Sequence, residues 1–249
     1  MTALGTELLL AAIGVMLGGA ALQSAVGFGM GMATVPILLW LGAPLAHAVA
    51  FLNGASIVQA AIASHRLRHE RQPSLHLRFA LGQWLGLPLG LACMGLLNTA
   101  GRDVTLRAIG VFLLVAVAAR ALLRPRPRAE VAPTWTAAAA LSSGMLTGTF
   151  GMGGPPMVFW SLAHHWTADR VRAFLLTQAV LVSPAMLGLL VSRYGADVLF
   201  SAALGLGLTP ALWAVTATTQ RATAAWPRAR LQAAALALIT LLGLRSLVG

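Results

Sequence analysis

Phe28-Gly29-Met30-Gly31 recurs 122 positions later as Phe150-Gly151-Met152-Gly153, in a chain of 249 residues. Proline follows each copy, as Pro36 and as Pro155-Pro156. Glycine disfavours a helix interior by about 1 kcal/mol and proline by roughly 3, so each cluster breaks its helix. Where a helix restarts, several N–H groups lack an intrahelical partner, and the helix dipole places partial positive charge there. Helices starting near Met32 and near Pro155 would aim those groups at the space between the breaks, where a small anion could sit without a buried arginine. Pro155 suits a first turn, where its missing donor costs nothing. Gly27, Gly29, Gly31, Gly151, Gly153 and Gly154 would let backbone approach such a ligand closely. They suit close helix packing equally well, as small residues do in membranes.

Polar side chains near the breaks are the next candidates. Gln23 and Ser24 precede the first cluster, and Ser142, Ser143, Thr147 and Thr149 precede or enter the second. Asn53 is answered at equivalent depth by Thr177 and Gln178. Buried amides need partners; these could share a ligand, or hydrogen-bond between helices. His47 reads as an interfacial residue, and His164, His165, Trp160 and Trp166 as an interfacial belt. Trp84 and Trp213 read as space-filling. Cys93 stands alone and no His/Cys group has metal-ligand spacing, so no metal or cofactor is expected. No convergent His, Asp or Glu cluster suggests an enzyme, and no Walker loop suggests a nucleotide-driven pump.

The elements that must hold these residues are membrane helices. Hydrophobic residues make up 58% of the chain and charged ones 9%, against roughly a quarter charged in soluble domains. Apolar runs cover 8–24, 32–42, 46–65, 77–97 and 103–123. After the basic linker 124–133 they recur at 134–149, 155–163, 172–192, 197–219 and 229–248. About 20 residues span a bilayer, so 32–42 is the short arm of a re-entrant hairpin. The net charge of +11 gathers in three stretches: Arg66 to Arg78, Arg120 to Arg128, and Arg221 to Arg230. Its alternation sets orientation, placing the three stretches in the cytoplasm and both termini outside; it does not suggest nucleic acid. The first segment carries Glu7 and no basic residue before it, so it is expected to be retained rather than cleaved. The expected fold is all-α and integral to the membrane. Two inverted repeats, 1–123 and 134–249, each combine a glycine-broken hairpin with three transmembrane helices. Inverted broken helices place a site at the bilayer midplane and allow alternating access.

The six carboxylates, Glu7, Glu70, Asp103, Glu130, Asp169 and Asp197, all fall in termini, loops or span ends. Intramembrane acids usually mark proton relays, so carboxylate-coupled transport is disfavoured. A charge crossing the membrane gains about 2.3 kcal/mol per 100 mV, enough to drive efflux of an anion from a negative interior.

Gly27-Phe28-Gly29-Met30-Gly31 with Pro36, and Gly148 through Pro156, resemble the paired glycine/proline signatures of the TauE/SafE sulfite-exporter (TSUP) family, over essentially the whole chain. Met32-Ala33 stand where many members carry a further glycine. The resemblance implies a multi-pass plasma-membrane carrier of small sulfur-containing anions, such as sulfite, sulfonates or sulfoacetate, or of related organic acids. The expected partners are a small anionic substrate and the lipid bilayer; a homo-oligomer is compatible with the sequence. A site follows from these readings. It comprises Gln23, Ser24, Gly27 to Gly31, Pro36, Asn53, Thr147, Phe150 to Pro156, Thr177 and Gln178.

Overall fold

Prolines and glycines punctuate the apolar runs, and the helices begin and end where they fall. The computed structural model describes residues 6–26, 29–122, 127 and 131–248. Helix α1 runs Thr6–Val26, α2 Met30–Trp40, α3 Leu45–Arg66, α4 Pro73–Ala100 and α5 Arg102–Leu122. Then follow α6 Pro133–Phe150, α7 Gly154–Leu162, α8 Ala168–Tyr194, α9 Asp197–Gly207, α10 Thr209–Thr223 and α11 Arg228–Val248. Gly42, Gly101, Gly151 and Gly195 take positive φ at the ends of α2, α4, α6 and α8. Pro73 and Pro133 open α4 and α6, where the absent donor is free of cost. Thr167 caps α8 by accepting from the Arg170 N–H at 3.2 Å. Asp103, Asp169 and Asp197 sit in first turns, where a carboxylate complements the helix dipole.

Six helices are long and apolar enough to cross a membrane: α1, α3, α4, α5, α8 and α11. The stretch expected as one span over 197–219 is instead two helices meeting at 44°. Pro210 supplies no N–H to the Leu206 carbonyl one turn earlier. The Thr209 hydroxyl donates to that carbonyl instead, at 2.6 Å, so the bend leaves no orphaned acceptor there. Pro88 and Pro184 lie inside α4 and α8 without ending them.

Lipid tails are as apolar as leucine, so close packing rather than water exclusion holds such helices together. Helices α4 and α6 pack backbone against backbone. Gly82, Gly86 and Gly90 form a stripe at four-residue spacing on α4, opposite Ala140, Gly144 and Gly148 on α6. A Cβ on Gly86 would meet Met145 N at 2.8 Å, and one on Gly144 would meet Gln83 Cα at 2.7 Å. On its other face α4 presents Leu77, Leu81, Leu85 and Leu89, each about half exposed or more. At one end of the bundle Phe79, Trp160 and Phe174 join α4, α7 and α8, with ring centroids 4.9–5.0 Å apart. Trp166 meets the Phe174 ring edge-on under Arg170, so the α4 and α8 starts lie together. That brings the 66–72 loop and Arg170 to one end. Trp84 and Trp213 do not fill the interior: they are 37% and 45% exposed, and Arg66 lies 5.2 Å over the Trp213 ring.

Candidate functional site

The first break restarts the chain at Gly29, whose φ of 102° only glycine adopts readily. The Ala33 N–H donates to Gly29 O at 2.9 Å, leaving the N–H groups of Met30, Gly31 and Met32 ahead of the first intrahelical bond. Gly151 closes α6 with φ 71°. Its N–H donates to Thr147 O at 2.8 Å, and that of Met152 to Leu146 O at 3.3 Å. Those two amides are committed to the α6 terminus. Pro155 and Pro156 have no N–H, so between 151 and 156 only Gly153 and Gly154 keep donors outside the α6 cap. The breaks therefore differ: α2 offers three consecutive donors, α7 two.

The breaks meet. A Cβ on Gly31 would come within 3.5 Å of the Gly151 carbonyl oxygen. Beside this contact lies a cavity of about 220 Å³, lined from both clusters by Gly29, Met30, Gly31, Gly151, Met152, Gly153, Gly154 and Pro155, and by Gln23. Gly27 and Phe28 lie outside the described residues. The remaining candidates line other parts of the fold. Ser24 donates to Ala20 O and shares a hydrogen bond with the Thr216 hydroxyl on α10. Pro36 is buried inside α2, and Phe150 stacks on Phe112 at 5.4 Å. Asn53 donates to Val49 O at 3.0 Å within its own helix. Gln178 donates to His76 O at 3.0 Å, tying α8 to α4. Thr147 donates to Ser143 O at 2.8 Å. Pro156 and Thr177 are not among the described lining residues, and the Thr177 hydroxyl is buried without a partner among the described residues.

The spacing of the breaks gave no warning of one charged wall residue, Arg120. It occupies the last turn of α5 and lines the cavity with Ala116 and Val117, one turn before it on the same face. Among the described residues no carboxylate lines the cavity. Met32, Met157, Phe159, Leu175, Leu236 and Ile239 complete a mostly apolar wall. The second break is braced from behind. Ser143, fully buried, donates to Gly153 O at 2.6 Å and accepts from Gln83 Nε2 at 2.9 Å.

The cavity is one-sided. Met32 through Pro36 on α2 are buried, whereas Gly154 through Val158, their partners 122 positions on, are all half-buried. The wall also includes Arg120 in the last turn of α5 and the early α8 residue Leu175, so it reaches toward the end that carries Arg170.

A family model for the sulfite exporter TauE/SafE matches residues 10–246. The chain belongs to the TauE/SafE family. Neither curated proteins nor solved structures yield a match. Membership in this transporter family, with six apolar helices of spanning length, makes the chain a multi-pass membrane protein. The family match covers both broken hairpins and both groups of cavity-lining residues.

Proposed function

We propose that this TauE/SafE chain is a secondary carrier that exports a small sulfur-containing anion, such as sulfite, a sulfonate or sulfoacetate, across the plasma membrane. The observation that carries the reading is the cavity shared by both breaks, with Arg120 as its charged wall residue and, among the described residues, no carboxylate on its lining. Donors on Met30, Gly31, Met32, Gly153 and Gly154 supplement that charge. We further infer two inverted repeats, 1–123 and 134–249, joined by the cytoplasmic linker 124–133, with both termini outside. Two packings support a pseudo-two-fold: α3 packs on its counterpart α8, and α5 on its counterpart α11, as pairs beside such an axis do. The same reading makes transport electrogenic and free of obligatory proton coupling.

The test uses purified protein in liposomes, loaded with a candidate anion and assayed for counterflow of labelled sulfite, sulfoacetate and short carboxylates. Counterflow of sulfur anions that follows an imposed membrane potential is expected. The reading fails if no anion exchanges, or if flux of a permanently ionised sulfonate follows the pH gradient and ignores the potential.

A further inference from the structure

The walls of the cavity say more about its occupant than the breaks do. Arg120 brings one full positive charge, and neither an ion pair nor a hydrogen bond engages its guanidinium among the described residues. Among the described residues no acidic side chain lines the space. A bound anion with one charge is therefore balanced, whereas a second charge would find no second cationic side chain among the described lining residues. Burying an unpaired charge among apolar groups is strongly unfavourable. Away from Arg120, Gln23 and the glycine backbone of the breaks, the side-chain surface is thioether and hydrocarbon: Met30, Met152 and Met157 with Phe159, Leu236 and Ile239. Methionine side chains are flexible and polarisable, and they adapt to irregular apolar shapes. At about 220 Å³, the space falls below the ~300–1,000 Å³ usual for drug-sized ligands. It is nevertheless larger than a bare oxyanion needs.

We propose that the preferred ligand is an organic monoanion, with its charged head on Arg120 and a short apolar body against the methionine wall, in preference to an inorganic dianion. The inference rests on the carrier reading for its physiological meaning and on the cavity alone for its chemistry. Arg120 is then the residue that selects charge, and the wall selects the body.

Isothermal titration of the full-length protein in detergent with methane-, ethane-, propane- and butanesulfonate tests this directly. Each added methylene buried should tighten binding about fourfold, the equivalent of ~0.8 kcal/mol, until the space is filled. Sulfate, close to methanesulfonate in size but doubly charged, and ethane-1,2-disulfonate, close to butanesulfonate in length, should each bind at least tenfold more weakly than those partners. Arg120→Gln should weaken the whole series at least tenfold, and Arg120→Lys should weaken it less. A flat series overturns the apolar body, equal binding of the dianions overturns the charge selection, and an unchanged series in Arg120→Gln overturns the role of Arg120. Counterflow is scored separately. A rising series without counterflow upholds this site and refutes the carrier; sulfite counterflow with a flat series does the reverse.

Discussion

Gly153 and Gly154 are neighbours in the sequence, yet the fold gives them opposite surroundings. A Cβ on Gly153 would collide with the Thr147 hydroxyl and the Ser143 carbonyl and would come to 3.0 Å from Ser143 Oγ. A Cβ on Gly154 would meet nothing within 4 Å. Gly153→Ala should therefore overpack the junction with α6, at a cost of about 1–3 kcal/mol. For a chain of this size each kcal/mol moves Tm by roughly 2–4 °C, so the loss should be about 2–12 °C. Gly154→Ala should leave Tm unchanged or raise it, because alanine restricts the unfolded chain by about 0.4–1 kcal/mol relative to glycine. Gly154→Val should keep its Tm but reduce counterflow, since its side chain enters the open space beside the cavity wall. Adding Thr147→Ala to Gly153→Ala should restore only part of the lost Tm, because the Ser143 carbonyl is backbone and stays in place. Thermal unfolding in detergent, followed by size-exclusion of the soluble fraction, reads the Tm values. A Gly153→Ala protein with wild-type Tm, or a Gly154→Val protein as destabilised as Gly153→Ala, refutes the assignment of these two environments.

Ser143→Ala should cost more stability than Gln83→Leu, about 1–3 against about 1 kcal/mol, because it strands both the Gln83 amide and the Gly153 carbonyl; equal Tm losses would contradict the brace. Burial holds the His164 imidazole below its ordinary 6.5, with Arg170 adding to the shift against a hydrogen bond to Trp160 O. The unfolded chain thus takes up this proton first, and stability should fall as pH drops through 6.5 toward the lowered value. His164→Gln should flatten that part of the Tm–pH curve, and an unaltered slope would remove His164 as its source. With Cys93 replaced by serine, a cysteine at Met157 should react with an impermeant maleimide supplied at the basic end, while one at its counterpart Val35 should stay unreactive; equal labelling would show that the cavity is not one-sided.

Helix boundaries were legible because glycine and proline act locally. The expected runs 134–149 and 155–163 differ from α6 and α7 by one residue at each end. The bend at Leu208 was not legible, because Thr209-Pro210 looks no different in sequence from the prolines that α4 and α8 absorb. At this bend the Thr209 hydroxyl answers the carbonyl that Pro210 frees. The cavity-facing glycines of both clusters could be proposed from their repeat. The directions of Asn53 and Gln178 could not, since side-chain type says nothing of whether an amide turns to a ligand, to its own helix or to His76. Arg120 was hidden by its company: grouped with Arg124, Arg126 and Arg128 it reads as loop charge. Its one-turn spacing from Ala116 and Val117 was the only signal that it belongs to the cavity wall.

The glycine stripe between α4 and α6 has no counterpart in the other half. The positions equivalent to Gly82, Gly86 and Gly90 are Leu204, Leu208 and Leu212, and those equivalent to Ala140, Gly144 and Gly148 are Gly18, Leu22 and Val26. One hairpin is thus clamped to its neighbour by interlocking backbones, the other by side chains that can repack. In a carrier that alternates between two faces, such unequal anchoring makes the two orientations unequal in energy, and a few kcal/mol fixes which one dominates at rest. Microscopic reversibility prevents that imbalance from rectifying the flow. Net direction stays with the electrochemical gradient, and the imbalance surfaces as unequal half-saturation concentrations on the two sides of the bilayer.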